Sequence, residues 1–267
     1  MPAHPIVSSA EWLAARKGLL AEEKAFTRQR DELNRRRLEL PWERVQKTYL
    51  FDGPAGQESL GDLFAGRRQL LIYHFMLGPG WAEGCPSCSY VVDHFAGMTP
   101  HLNARDVTLA AVSRAPWPEI EAFQRRMGWS FRWVSAAGSD FNRDYNVSFE
   151  SEEIERGDLA YNYEPMSGTP VEELPGISCF FRDAEGQIYH TYSSYARGLD
   201  MLVGTYNYLD IAPLGRNEEG LAHSMSWVRH HDRYGSDYLV DPLAPYAPPH
   251  GSCCCASPTQ LELESRA

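Results

Sequence analysis

Basic residues are scarce in this 267-residue chain, in which 25 Lys and Arg stand against 36 Asp and Glu and the formal net charge is −11. Such a surface repels phosphate backbones and anionic bilayers, which argues against nucleic acid or a membrane as partner. Apolar runs are short of the roughly 20 residues that span a bilayer. The first seven residues lack the charged and apolar regions of a signal peptide. We therefore expect a cytoplasmic protein.

Cysteine is also infrequent, and its distribution is uneven. The six cysteines do not form the spread-out framework of a small secreted domain. In a reducing compartment a CxxC pair is more often catalytic or metal-binding than structural. The sequence has one such pair, one single cysteine and a run of three near the end. These are Cys85, Cys88, Cys179, Cys253, Cys254 and Cys255.

The CxxC pair lies in a segment with a recognisable order of predicted elements. Residues 70–77 are continuously apolar, as in a central strand covered on both faces. A loop rich in Gly, Pro and Trp follows, then Gly-Cys-Pro-Ser-Cys at residues 84–88, then a predicted helix from residue 89. A strand, a loop, two cysteines and a helix in this order indicate a redox-active dithiol.

Local helix rules assign different roles to the two cysteines. Cys85 is expected at the N-cap, where backbone N–H groups and the helix dipole favour a thiolate. Pro86 suits the first helical position, where its missing N–H costs nothing. Cys88 falls one turn later, closer to the core. We predict that Cys85 is the exposed attacking sulfur and that Cys88 resolves the mixed disulfide.

Three other interpretations of the dithiol stay open. A zinc half-site would need two further ligands, and the chain has no second CxxC. A buried, inert pair conflicts with the Gly- and Pro-rich approach to Cys85. A peroxiredoxin-like peroxidase would need a Pro-x-x-x-Thr/Ser-x-x-Cys loop. Pro79 precedes Cys85, but the count is one residue short and Glu83 replaces the hydroxyl residue. We expect Arg114, a possible positive charge near the thiolate, to be an ordinary salt-bridge partner.

The order of predicted elements is that of an α/β thioredoxin-like fold, with a central mixed sheet flanked by helices. Strands are expected at residues 45–52, 107–112 and 131–134. A hairpin is expected around Asp183-Ala-Glu-Gly186, and a closing helix at 199–209. We assign residues 44–212 to this domain, with an acidic insertion at about 147–175. The flanking parts are an N-terminal helix (8–40), a C-terminal helical extension (213–240) and a mobile tail (241–267).

Several residues are expected around the dithiol. His74 lies within the central strand beside the loop and is expected either to pack close to the dithiol or to be a satisfied core histidine. Gly97 and Pro100 should interrupt the helix that follows the cysteines near its middle. Thioredoxins place a cis-proline opposite the dithiol, but the corresponding position here is near Ile177, and Pro175 lies two residues earlier. The predicted surround of Cys85 and Cys88 consists of Trp81, Gly84, Pro86, Ser87, His74 and Ile177.

The N-terminal helix has an apolar row with a period of seven, formed by Trp12, Leu19, Phe26 and Leu33. We favour a helix that packs on its own domain, because a coiled coil needs apolar residues at both a and d positions. A homodimer through this row is the alternative.

Histidine and cysteine near the C-terminus suggest a metal-binding alternative. Residues 221–234 are predicted to be helical, which would place His223 and His230 on one face. Thiolates favour Cu(I) or Zn, so Cys253, Cys254, Cys255 and His250 form a candidate soft-metal site in the tail. An incidental low-complexity tail is an equal alternative. We favour no cofactor beyond the dithiol.

Eight segments of the sequence resemble a widespread bacterial thioredoxin-like family of uncharacterised proteins, described as predicted dithiol–disulfide oxidoreductases. The segments are residues 11–17, 73–76, 84–89, 112–116, 126–131, 139–142, 191–200 and 227–234. The resemblance spans about residues 6–240. It implies the fold and, by prediction, a redox role with an unidentified thiol or disulfide substrate and reductant.

Overall fold

The computed structural model describes residues 4–157, 159–166, 171–238, 240 and 241. The chain divides into two compact units, residues 1–42 and residues 43–267. Among the described residues, none of the helices has both the length and the apolar composition needed to cross a bilayer.

The first unit is dominated by one helix, α1 (Ser9–Leu38). Ser8 is its N-cap, and a capping box joins Ser8 to Glu11, which satisfies backbone N–H groups of the first turn. The helix predicted from the sequence is confirmed. Its apolar row is exposed, with relative accessibilities of 46–63%, and the homodimer through this row stays a prediction.

The second unit contains an eight-stranded sheet and a separate two-stranded hairpin. The sheet strands are β1 (Glu43–Arg44), β2 (Leu50–Gly53), β3 (Gly56–Ser59), β4 (Gln69–His74), β5 (Val107–Ser113), β6 (Arg132–Ser135), β9 (Gly176–Arg182) and β10 (Ile188–Tyr195). The hairpin strands are β7 (Ala160–Tyr161) and β8 (Glu164–Pro165).

Helices connect the strands. They are α2 (Leu60–Leu63), α3 (Pro86–Val92), α4 (Phe95–Asn103), α5 (Trp117–Arg126), α6 (Phe141–Asp144), α7 (Ser151–Arg156) and α8 (Gly204–Leu209). Two 3-10 helices, η1 (Ala196–Leu202) and η2 (His231–Arg233), follow β10 and precede the end of the described chain.

The sheet order is β1-β10-β9-β4-β5-β6-β2-β3. Strand β4 is parallel to β5, and β5 is parallel to β6, through helical crossovers. Strands β9 and β10 form an antiparallel hairpin that pairs with β4 on its other side. Parallel strands with helical crossovers, followed by an antiparallel hairpin and a helix, make this a thioredoxin-like α/β fold, as the sequence predicts.

Two apolar clusters cover the two faces of the sheet, and alternating residues along β4 contribute to one cluster or the other. Leu70 and Ile72 belong to one cluster, while Tyr73 and Phe75 belong to the other, which also contains both cysteines of the CxxC pair. Adjacent residues of a strand point to opposite faces. The continuous apolar run of residues 70–77 therefore reflects burial on both faces.

The strand predicted for residues 45–52 is wrong. Strand β1 pairs with β10, whereas β2 pairs with β3 and β6. These partners lie at opposite edges of the eight-stranded sheet. Residues 45–49 connect these two edges, so residues 45–52 cannot form one continuous strand.

The helix after the cysteines is interrupted earlier than predicted. It ends at Val92, and α4 begins at Phe95 and keeps Pro100 within it. The break coincides with two side chains that bind elsewhere. Asp93 accepts a hydrogen bond from Trp129 Nε1 at 2.8 Å, and His94 Nε2 accepts one from the backbone N–H of Thr205 at 3.2 Å. Tertiary contacts thus set the break.

The helix predicted for residues 221–234, and with it the helical extension over 213–240, is wrong. After α8, the described residues form turns and the short η2. The reason is that side chains of this segment bind different partners: Trp227 binds Glu218, His230 binds the Gly84 carbonyl and His231 binds Asp93. The closing helix predicted for 199–209 consists of η1 and α8 separated by Val203.

Candidate functional site

The dithiol lies where β4 gives way to α3. Cys85 is the N-cap residue of α3 and Pro86 is at its first position, as predicted. The backbone N–H of Cys85 donates to the Met76 carbonyl at 3.0 Å. The Cys85 carbonyl accepts from the N–H and from the hydroxyl of Ser89, both at 2.9 Å. Neither cysteine forms a disulfide, and these backbone bonds hold the two thiols one helical turn apart.

The prediction of an exposed attacking sulfur is wrong, because both cysteines are buried. Cys85 is 4% exposed and Cys88 is 2% exposed. The apolar cluster that contains both cysteines also includes Ile177 from β9 and Val228 from the C-terminal segment. Residues far along the chain therefore close over the loop that local sequence rules place at the surface.

Cys88 has the surroundings of a thiol that stays protonated. Burial, followed by a hydrogen bond with Cys85, raises the pKa of Cys88 well above its ordinary value. The Tyr73 hydroxyl and the Met76 backbone hydrogen-bond to the same sulfur and act in the opposite direction. The pKa of Tyr73 is in turn raised, first by burial and then by the neighbouring cysteines.

The loop before the dithiol is tightly packed. The indole of Trp81 lies directly against Gly78, where an added Cβ would be 2.8 Å from Nε1. Trp81 is partly buried against the cluster that contains the cysteines. Gly84 is buried, and Ser87 is the most exposed residue of the Gly84–Cys88 motif.

His74 is not part of the surround of the dithiol. Its ring is stacked on Phe141 on the opposite face of the sheet. His74 Nδ1 is 3.3 Å from Asn142 Oδ1, and Nε2 is 2.9 Å from Ser178 Oγ. Since Tyr73 faces the dithiol, the next residue of the strand faces away. His74 is a hydrogen-bonded core histidine.

Sequence reasoning missed the residues that cover the dithiol. We name residues 218–234 the C-terminal cover. His230, 1% exposed, donates from Nε2 to the Gly84 carbonyl at 2.8 Å. Its Nδ1 lies 3.3 Å from Glu83 Oε2. The sequence feature that could have indicated this cover is the segment 227–234, which is one of the segments shared with the family. The predicted helical face shared by His223 and His230 does not form.

Glu218 holds the start of this cover. Its Oε1 accepts hydrogen bonds from Tyr206 Oη at 2.7 Å, Met225 N at 3.0 Å and Trp227 Nε1 at 2.7 Å. The ring of Trp227 packs edge-on against Tyr90 of α3 at 5.7 Å. One carboxylate thus organises the residues that lie over the helix of the dithiol.

Charged residues fix the other end of the cover. Arg126 of α5 binds Asp232 at 2.8 and 2.9 Å and also binds Glu83. Arg233 donates to the same Glu83 oxygen at 2.7 Å. The residue two positions before Cys85 is therefore linked to α5 and to the cover.

Arg114 is a salt-bridge partner, as expected. Its Nε is 2.5 Å from Glu173 Oε1 of the acidic insertion. Glu173 is 1% exposed and also accepts from Ser148 Oγ at 2.7 Å. Burial raises the pKa of Glu173 to about 7, against the lowering effect of Arg114. The insertion is thus anchored by a buried carboxyl group as well as by its exposed charges.

The proposed tail site cannot be placed, because Cys253, Cys254, Cys255 and His250 lie outside the described residues. Within the described ranges, no three His, Cys, Asp or Glu side chains are grouped as a metal site requires. The same ranges contain no cis peptide bond, so the position near Ile177 has none.

A family model described as bacterial protein of unknown function matches residues 1–234. The chain belongs to this family, DUF899. No curated protein is significantly similar to this DUF899 member in sequence.

Solved structures that are similar to this chain include a peroxidoxin and a peroxiredoxin. Peroxidoxin BcpB from Mycobacterium tuberculosis is 11% identical, with 64% of this chain and 97% of that chain covered and a TM-score of 0.42. A cysteine-to-serine mutant of peroxiredoxin Q from Xanthomonas campestris is 17% identical, with 63% and 98% covered and a TM-score of 0.41. The likeness concerns the fold.

Proposed function

We propose that this DUF899 protein is a thiol–disulfide oxidoreductase with Cys85 as the attacking sulfur and Cys88 as the resolving sulfur. The observation that carries the proposal is the hydrogen-bonded pair of reduced thiols at the start of α3. Two thiols one helical turn apart can close a disulfide by a small movement. Because its pKa is raised, Cys88 stays protonated and unreactive until Cys85 has formed the mixed disulfide.

The reaction transfers two electrons. The Cys85 thiolate attacks one sulfur of a substrate disulfide, forms a mixed disulfide and releases the other sulfur as a thiolate, which takes a proton from solvent. Cys88 then loses its proton and attacks the Cys85 sulfur. The second substrate sulfur leaves as a thiol, and Cys85–Cys88 is the oxidised product. A dithiol reductant returns the pair to the reduced form.

Burial of both thiols favours a second candidate, a thiol peroxidase, because a small hydroperoxide reaches an enclosed sulfur more easily than a protein disulfide does. Here the Cys85 thiolate attacks the terminal peroxide oxygen, giving a sulfenic acid and an alcohol or water. The Cys88 thiol condenses with the sulfenic acid, forms the disulfide and releases water.

One experiment tests the roles of the two cysteines, which both candidates share, and the faster oxidant, disulfide or peroxide, identifies the better candidate. The reduced protein is treated with hydrogen peroxide, with hydroxyethyl disulfide or with an oxidised protein substrate. Peptide mapping then identifies the disulfide formed, and rates are compared with Cys85→Ser, Cys88→Ser and Cys179→Ser. We expect a Cys85–Cys88 disulfide and loss of turnover in the first two variants only. Undiminished turnover of both oxidant types in Cys85→Ser would disprove the proposal.

A further inference from the structure

His230 is buried beside the CxxC loop, and the proposed reaction of the two thiols assigns it no role. Both of its ring nitrogens face oxygen acceptors. Nε2 is 2.8 Å from the Gly84 carbonyl, and Nδ1 is 3.3 Å from Glu83 Oε2. A carbonyl can only accept, so Nε2 carries a proton. A proton on Nδ1 would then face a carboxylate oxygen, an arrangement that suits the imidazolium form.

Ion pairs surround Glu83, the carboxylate that faces His230. Glu83 Oε1 accepts from Arg126 and Arg233, and Arg126 also binds Asp232. Two guanidinium groups thus accompany two carboxylates. Protonation of His230 adds one positive charge to this group, next to the residue that precedes Cys85.

Two opposing effects act on the protonation of His230. Burial, the largest effect, disfavours the charged ring, and Arg126 acts in the same direction, so that the pKa of His230 is lowered overall. The Gly84 carbonyl, Glu83 and Cys85 favour the charged form. The ring also packs edge-on against Phe123 at 5.4 Å, which adds no charge. The Cys85 sulfur is the one member of this set whose own charge changes during the proposed reaction.

We propose that His230 is a positioning residue for the dithiol, which fixes the Gly84–Cys85 loop and, when protonated, stabilises the Cys85 thiolate. When Cys85 ionises, its proton goes to solvent and His230 takes a proton from solvent at Nδ1. Thiol plus imidazole becomes thiolate plus imidazolium, with no change in net charge. The two groups titrate as a coupled pair, so each favours the charged form of the other. The proposal deepens, and rests on, the assignment of Cys85 as the reactive sulfur.

The test measures the pH profile of Cys85 alkylation by iodoacetamide, with the modified residue identified by peptide mapping. His230→Gln retains an N–H donor for the Gly84 carbonyl but carries no charge. We expect the midpoint of its profile to move up by about one pH unit, which lowers the alkylation rate at pH 7 about tenfold. His101→Gln changes an exposed histidine of α4, outside the cover, and should leave the profile unchanged.

A purely structural role for His230 would change the alkylation rate at every pH without moving the midpoint. An unchanged midpoint in a folded His230→Gln protein would overturn the proposal. Alkylation requires no turnover, so this result is independent of whether the protein proves to be an oxidoreductase.

A reciprocal measurement leaves His230 intact and covers the case in which His230→Gln does not fold. The imidazole of His230 is titrated by NMR in the wild-type protein and in Cys85→Ser. We expect the titration midpoint of His230 to be lower in Cys85→Ser, since the thiolate is absent. Equal midpoints would show that the two groups are not coupled and would overturn the proposal.

Discussion

Gly84 lies so close to Phe75 that a Cβ atom on Gly84 would be 2.5 Å from Cε1 of the ring. The same Cβ would be 2.8 Å from Cε1 of Phe123. Real Cβ contacts are not this short. Residue 84, directly before Cys85, is therefore glycine because two core rings occupy the space of a side chain, and the backbone of the CxxC loop packs on those rings.

Gly84→Ala should consequently destabilise the protein by about 1–3 kcal/mol, since the rings or the loop must shift. The free energy of unfolding in urea measures this cost. Gly97→Ala is the matched control, because no atom lies within 4 Å of its Cβ position in α4. Alanine in a helix interior should stabilise by about 0.5–1 kcal/mol. Equal stability of Gly84→Ala and wild type would contradict the close packing of Gly84 against Phe75 and Phe123.

Selective alkylation is expected among the cysteines of the second unit. Burial raises the pKa of Cys179 to about 12, and the pKa of Cys88 is raised as well. Neither should react at pH 7.5 in the folded protein. Peptide mapping after brief iodoacetamide treatment should find Cys85 as the modified residue among Cys85, Cys88 and Cys179. Modification of Cys88 ahead of Cys85 would reverse their assigned roles.

Local rules predicted the position of the dithiol well. The N-cap at Cys85, Pro86 at the first helical position and the hairpin between β9 and β10 depend on residues a few positions apart, and the structure has all three. Burial of Cys85 depends instead on Val228 and His230, which lie some 140 residues later. A sequence pattern of short range contains no information about that contact.

The placement of His74 is a different kind of error. The apolar run around it conceals the two-residue period of the strand, because both faces are covered. Once Tyr73 is assigned to the dithiol face, His74 has to face the other way. The split of residues 45–52 between two sheet edges, in contrast, follows from the pairing of β1 with β10, which the sequence does not indicate.

The C-terminal cover should be the barrier that limits access to the dithiol. Glu218→Ala removes a charged acceptor of three hydrogen bonds. Hydrogen bonds to a charged group contribute about 1.5–3 kcal/mol, so local opening of the cover should increase at least about tenfold. We expect faster alkylation of Cys85 and faster amide exchange over residues 218–234. Glu218→Gln keeps a carbonyl acceptor and should lie between the two.

Glu219→Ala is the control for this variant, since Glu219 is exposed and directly follows Glu218. Its alkylation and exchange rates should equal those of wild type. If Glu218→Ala accelerates amide exchange but leaves the alkylation of Cys85 unchanged, the cover does not control access to the sulfur.

Acid should destabilise the protein through His74. Burial lowers the pKa of His74 to about 4, from 6.5 in an unfolded chain. The unfolded state therefore binds a proton between pH 6.5 and pH 4 that the folded state does not bind. The stability associated with neutral His74 is complete above pH 6.5 and is lost as the pH falls toward 4, by about 3 kcal/mol in total.

His74→Gln should remove this part of the pH dependence. Urea unfolding between pH 4.5 and 7.5 measures it in wild type, in His74→Gln and in His101→Gln, which changes an exposed histidine of α4. The raised pKa of Glu173 gives stability the opposite slope between pH 4.5 and 7. Glu173 is present in all three proteins, so the difference between their slopes isolates His74. A flatter profile in His74→Gln alone is expected, and identical profiles would mean that the pKa of His74 is the same in the folded and unfolded states.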